Sequence, residues 1–163
     1  MKLFIKHFDE LSCEKLVDIY KARMEVFVVE QQCLYQEVDD ADKVAYHIWL
    51  QDEDGIQAYA RALPAGATFK EASVGRVISK KRHCGLATKV VSAAVQVVRE
   101  KFHENTIRIE AQEYAKSLYE KVGFVQISAT FIEDGIPHVL MEIQGEKENG
   151  LRSLDISKSV TLL

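Results

Sequence analysis

Apolar and polar positions alternate over residues 2–8, KLFIKHF, with the period of a half-buried strand. From Ser12 the period changes. Leu16, Ile19, Tyr20, Arg23 and Phe27 recur at helical spacing to about Val29, with Ser12 as the cap. Residues 30–43, EQQCLYQEVDDADK, carry no apolar period and predict an acidic loop. AYHIWL (45–50) and IQAYARAL (56–63) predict two strands joined through QDEDG. PAGATFKEA is a loop, and ASVGRVIS (72–79) is a third strand of this meander. Residues 85–102 are apolar on most faces and predict a largely buried helix. TIRIEAQ (106–112) is a strand, and YAKSLYEKV (114–122) a short helix that Gly123 can end in the left-handed conformation. FVQISATFI and IPHVLMEI are strands separated by Glu133, Asp134 and Gly135, a hairpin signal. The order β-α-β-β-β-α-β-α-β-β predicts an α/β or α+β layout with a mixed sheet. After Gln144 the chain is polar, then weakly apolar at SVTLL, so a domain over 1–144 and a tail over 145–163 are expected.

Length and composition narrow the class. The 163 residues suit one domain with a proper core. With 21 Lys and Arg against 25 Asp and Glu, the net charge of -4 argues against a general nucleic-acid binder. The apolar patch of MKLFIKHFDELS is broken by Lys6, His7 and Asp9, unlike a signal peptide. No run of 18 apolar residues is present to span a membrane. Cys13, Cys33 and Cys84 form neither a disulfide framework nor a CxxC metal pair, so a reduced, cytoplasmic protein without a metal is expected. An exposed apolar strand edge would favour a homodimer, and the sequence does not reveal one.

One segment stands out chemically. KKRHCGLATKVV (80–91) gathers Lys80, Lys81, Arg82 and His83 beside Gly85, where the buried helix begins. It is not a P-loop, because position 80 is lysine where GxxxxGK[ST] needs glycine, and it lacks the three glycines of a dinucleotide fingerprint. What remains is a strand, a basic turn and a helix whose first N–H groups lack internal partners and sit at its positive end. Gly85 and Ala87 keep the wall low enough for a phosphate to approach the backbone. Taken alone, the loop reads equally as a turn with solvated cations.

A second segment adds to it. RHCGLA (82–87) fits [RQ]-x-x-G-x-[GA], and AKSLYEKVGF (115–124) fits A-x-x-[LF]-Y-x-x-x-G-F. In this order, each after a strand, the chain resembles the GNAT superfamily of acyl-CoA-dependent N-acyltransferases over roughly residues 2–143. Within it the chain is similar to the ElaA-like branch, through RMEVFVVEQQCLYQEVDDAD, AYHIW, AYARAL, GRVIS, EAQEYAKSLYEKVGF and EDGIPHVLM. The resemblance implies a mostly antiparallel central sheet flanked by helices, with acetyl-CoA in a cleft where strands 72–79 and 106–112 splay apart. Backbone groups around Val77 and Ile78 would pair with the pantetheine arm, and one N–H there would polarise the thioester carbonyl. The turn and helix start, Arg82, His83, Cys84, Gly85, Leu86, Ala87 and Thr88, would take the pyrophosphate. Gln112 stands where the family often has asparagine at the pantetheine.

The resemblance also implies that Tyr119 is the acid that protonates the leaving thiolate. Its bland alternative is a core aromatic. Candidates for the base are Glu30, Glu37, His47, Glu110 and His138. Glu110 lies in a strand expected to be buried on both faces, where a polar group needs a partner or a cleft. A lone strand histidine such as His47 is more often simply hydrogen-bonded. Arg61 and Arg76 either hold a carboxylate of the acceptor or pair with Glu37, Asp39 or Asp42 of the acidic loop. That loop is either a solvated face or a lid favouring a cationic amine. Cys84 sits where a thiol can be activated, whereas the family implies direct transfer. The expected function is acetyl transfer to an amine of a small molecule or peptide, and the alternative is a non-catalytic acyl-CoA sensor or interaction module.

Overall fold

The computed structural model describes residues 1–145. Of the tail expected over 145–163, residues 146–163 lie outside the described residues. Strands β1 (Lys2–His7), β2 (Tyr46–Asp52), β3 (Gly55–Leu63) and β4 (Ser73–Ser79) form an antiparallel sheet in that order. Helix α1 (Cys13–Met24) starts at Ser12, whose hydroxyl accepts from the Lys15 N–H at 3.1 Å. Its last part is not α-helical: Glu25–Glu30 continue as a π-helical turn to Gln31. The acidic loop also contains a short 3-10 turn at Asp40–Val44.

Alternation along the sheet builds two cores. Ile48, Ala58, Ala60, Ala62 and Val74 face helix α2 (Leu86–Lys101), which presents Val90, Val91, Ala94 and Val98 fully buried. Each such buried valine contributes about 1.5–3 kcal/mol relative to exposure. Trp49, Tyr59 and Ile78 face α1 through Ile19, Ala22, Val26 and Phe27. The small alanines of β3 let α2 lie close.

Strand β5 (Ile107–Gln112) begins beside the start of β4. Ala72 and Ile107 form a parallel bridge, and the Arg108 N–H donates to the Ala72 carbonyl at 2.9 Å. Beyond that point the strands part. β5 pairs instead with β8 (Ile136–Ile143), which also pairs with β6 (Val125–Gln126) and β7 (Phe131–Glu133). Helix α3 (Lys116–Val122) ends at Gly123, φ 108°, in the expected left-handed cap. The strand expected over 124–132 is broken in two. Ser128 interrupts it, its hydroxyl accepting from the Leu140 N–H at 2.8 Å.

Two sequence expectations are corrected here. Strand β5 is buried on one face only: Ile107, Ile109 and Ala111 are inside, whereas Glu110 is exposed. Strict alternation along ASVGRVIS, which would put Val74, Arg76 and Ile78 on one face, also fails. Tyr59 pairs with Ile78 and Arg61 with Gly75, so Arg76 and Val77 together oppose Ala60. This β-bulge moves Val74 to the α2 side and Ile78 to the α1 side.

Candidate active site in the splayed cleft

The parting of β4 and β5 opens a cavity of about 810 Å³, within the range of small-molecule sites. Val77, Ile78 and Ser79 line one wall, and Glu110 and Gln112 the other. The turn before α2 closes one end with Arg82, His83, Gly85, Leu86, Ala87 and Thr88. No side chain caps α2, and its first turn holds no acidic residue. Its leading N–H groups are therefore free of intrahelical partners at the positive pole of a 16-residue helix. Gly85 takes φ 76°, and a Cβ there would meet nothing within 4 Å, so the space beside the turn is open. His83 also has a left-handed backbone, φ 59°. Cys84 does not line the cleft; its thiol donates to the Lys81 carbonyl at 3.1 Å on the exposed side.

Tyr119 is delivered by α3 and lines the cleft while packing edge-on against Phe124 at 5.9 Å. Burial raises its pKa above that of an ordinary phenol, so it stays protonated at neutral pH. Across the cleft, β5 and β8 place Gln112 opposite His138 and Glu110 opposite Leu140. Directly paired residues share a face, so Glu110, Gln112 and His138 look into the same space. Glu110 meets solvent at the cleft surface, yet partial desolvation there, then the Glu133 carboxyl beside it and Asp134, push its pKa up to about 7. The His138 Nδ1–H donates to the Ile136 carbonyl at 2.7 Å, which leaves Nε2 as the acceptor of the neutral ring.

Glu30 lines the cleft mouth and pairs with Arg82 at 3.7 Å, both side chains being more than half exposed. Gln31, which the sequence did not single out, bridges the mouth. Its Oε1 accepts from Gln112 Nε2 at 3.1 Å and its Nε2 donates to the Tyr114 hydroxyl at 3.2 Å. The Gln112 amide expected at the pantetheine is thus engaged by Gln31. Glu133 and Asp134 were also missed. They carried only a turn signal, and the β7–β8–β5 pairing that brings them to Glu110 is long-range.

Three other expected site residues lie in a buried charge network. Arg23, fully buried, donates to Glu37 Oε1 at 2.8 Å and to Asp42 Oδ1 at 2.7 Å. Arg61 donates to Asp39 at 2.6 Å and to Asp42 at 2.9 Å. Burial pushes the Asp42 pKa up, but the hydrogen bond and charge of Arg23, with those of Arg61, outweigh it and hold the carboxyl below its ordinary value. Arg76 donates through Nε and Nη2 to the Glu37 carbonyl at 3.1 and 3.0 Å, and through Nη2 to Asp39 at 3.2 Å. Arg61 and Arg76 pair with the acidic loop, as one alternative had it, and both also line the cavity, as the other required. Glu37 is buried and outside the cleft lining, which removes it as a base. His47 is corrected likewise: it is fully buried and does not contact the cleft. Its Nε2–H donates to the Asp42 carbonyl at 3.0 Å, and its Nδ1 accepts from the Tyr59 hydroxyl at 2.7 Å. Burial lowers its pKa to about 4, so it is a neutral scaffold group.

A splayed strand pair, a bulge and an uncapped helix thus face one cavity, the architecture the chain shares with an acyl-CoA N-acyltransferase of known structure. A family model described as an acetyltransferase (GNAT) domain matches residues 12–144, and the chain belongs to that family. A UPF0039 protein of Schizosaccharomyces pombe is 37% identical over 88% of this chain and 97% of its own. Protein ElaA of Escherichia coli is 31% identical over 83% of this chain and 91% of its own. Its crystal structure superposes with a TM-score of 0.81 at 28% identity, covering 88% of this chain and 99% of that one. An acyl-CoA N-acyltransferase from Pseudomonas aeruginosa gives 0.80 at 30% identity, covering 88% and 99%. The ElaA-like assignment and the GNAT fold expected from the sequence therefore hold. Among the described residues no helix is long and apolar enough to cross a membrane, and no cluster of metal-ligating side chains occurs.

Proposed function

We propose that the protein is an acetyl-CoA-dependent N-acetyltransferase that moves the acetyl group directly to an amine of a small molecule or peptide. The observation that carries this is the convergence, in one cavity, of an anion-ready helix start, a backbone bulge and a carboxyl whose pKa lies near 7. The N–H groups of Leu86, Ala87 and Thr88 take the pyrophosphate, with Arg82 outside. The pantetheine runs along Val77 and Ile78 as an added strand. The bulge N–H then donates to the thioester oxygen, where negative charge develops.

Glu110, ionised above about pH 7, accepts the proton of the acceptor ammonium. The freed amine attacks the thioester carbon, the nitrogen of the tetrahedral adduct gives up its second proton through His138 Nε2 to water, and the oxyanion collapses with cleavage of the C–S bond. Tyr119 donates its phenolic proton to the departing sulfur and is reprotonated from water. The products are the acetamide and CoA. His138 Nε2 faces the same space and assists in proton removal. Glu133 and Asp134 add negative charge at that end, which favours a cationic acceptor. The three cysteines are unpaired, which suits a reducing, cytoplasmic setting.

The test is calorimetric titration with CoA and acetyl-CoA, followed by thiol release from acetyl-CoA with a panel of di- and polyamines, amino acids and peptides. Micromolar binding and amine-dependent release are expected. Binding without release from any amine would favour the sensor reading, and no binding would refute acyl-CoA use altogether.

A further inference from the structure

The bulge that would activate the thioester is not held by its own sheet. Arg76 sits in it with φ 53°, a left-handed backbone that a β-carbon disfavours. A residue kept in such a conformation is over-determined by its surroundings, and here those surroundings are visible. Its guanidinium is gripped from the acidic loop by the Glu37 carbonyl, the Glu37 carboxylate at 3.1 Å and Asp39. The Tyr35 ring lies beneath it at 5.1 Å. The grip is itself anchored, because Arg23 and Arg61 hold the same loop through Glu37, Asp42 and Asp39. Within this network Glu37 Oε2 and Arg61 Nε are buried without a hydrogen-bond partner in the protein.

Resting on the acyltransferase reading, we propose that Arg76 is a positioning residue. Its loop-gripped guanidinium fixes the β4 bulge so that the adjacent Val77 N–H points at the thioester carbonyl. The acidic loop is then neither a solvated face nor a lid. It is the clamp that sets the electrophile, and its motion would couple to carbonyl activation through the bulge.

The experiment needs no knowledge of the acceptor. Acetyl-CoA labelled with ¹³C at the thioester carbonyl is bound to the full chain, and the carbonyl infrared band is compared with that in water. In the wild type the band moves to lower wavenumber. In Arg76→Ala, compared at ligand saturation, most of that shift is lost, while acetyl-CoA affinity falls less than in Gly85→Glu because the pyrophosphate site is elsewhere. Arg76→Lys, which can reach Asp39 but cannot fork, recovers part of the shift. If Arg76→Ala does not fold, Asp39→Asn, which keeps Arg76 and loosens its grip, must lose an intermediate fraction. A full shift in folded, ligand-saturated Arg76→Ala, or no shift in saturated wild type, would overturn the proposal while leaving acyl-CoA binding standing. Failure of the wild type to bind acetyl-CoA would overturn both.

Discussion

The C-terminal end of β4 and the bulge in its middle solve opposite problems. Beyond the strand's C-terminal end the turn 80–85 is exposed, and the start of α2 leaves backbone N–H donors without intrahelical partners. At the bulge and the loop below it, the charges of Arg23, Glu37, Asp42 and Arg61 are taken out of water and bonded to one another. The first region reserves its polarity for a ligand. The second spends its polarity on itself and so makes a fixed frame. Desolvating ions is costly, and apolar residues of similar volume would often be as stable. A buried network beside a cleft is therefore better understood as geometry control than as a stabilising device.

The largest test of this contrast removes one ion from the frame. Asp42→Ala leaves Arg23 and Arg61 buried without their shared carboxylate, and unfolding free energy should fall by about 3–5 kcal/mol in urea titration. The same region sets the acid limit. Asp42 and Asp39 have pKa values held below the ordinary carboxylate range by their arginines, against the opposing push of burial. Their contribution to stability is present above about pH 4 and is lost as pH falls through the lowered folded values. Asp42→Asn should flatten that part of the stability curve.

The ligand-facing region should respond in the opposite way. Gly85→Glu puts a carboxylate where the pyrophosphate would lie, and like charges juxtaposed at a site cost several kcal/mol. CoA affinity should drop by about 10²-fold or more in calorimetry. The side chain itself has room, so the fold loses only about 1–2 kcal/mol from the left-handed backbone. A variant that unfolds instead of losing CoA would erase the contrast.

Chemistry between the two regions is tested next. Glu110→Gln should lower kcat about 10²-fold. The wild-type rate should rise with pH through about 7 as Glu110 loses its proton, and that limb should vanish in the variant. A retained limb would shift the role of base to His138. Tyr119→Phe should cost roughly 10²-fold in kcat, with CoA affinity unchanged, the low end of proton-transfer effects.

The pattern of apolar positions was enough for the element order, because every element except the divided last strands has a clear period of 2 or 3.6. The phosphate end was legible for the same local reason: turn, glycine and helix start are contiguous. What could not be read depends on distant pairing. The bulge at Arg76 and Val77 is a register shift against β3, and no residue type announced it. Glu133 and Asp134 looked like a plain hairpin turn until β8 carried them to Glu110. His47 shows the converse error: an ionisable side chain on a strand attracted a functional expectation, and burial between Tyr59 and Asp42 made it scaffold.

The smallest effect lies where the two styles of region meet. Glu30 ends the π-helical turn that continues α1, and its carboxylate reaches Arg82 on the phosphate turn at 3.7 Å, with exposures of 52% and 72%. An ion pair this open contributes only about 0.2–1 kcal/mol. It also occupies the arginine that a pyrophosphate would claim. Glu30→Gln should therefore leave stability within about 0.5 kcal/mol of wild type and strengthen CoA binding about two- to fivefold at low salt. The gain should fade by 0.5 M salt, as screening of exposed charges requires. A large loss of turnover in Glu30→Gln with CoA affinity unchanged would instead make Glu30 a proton acceptor, and would shift the chemistry from the β5 wall of the cleft to the end of α1.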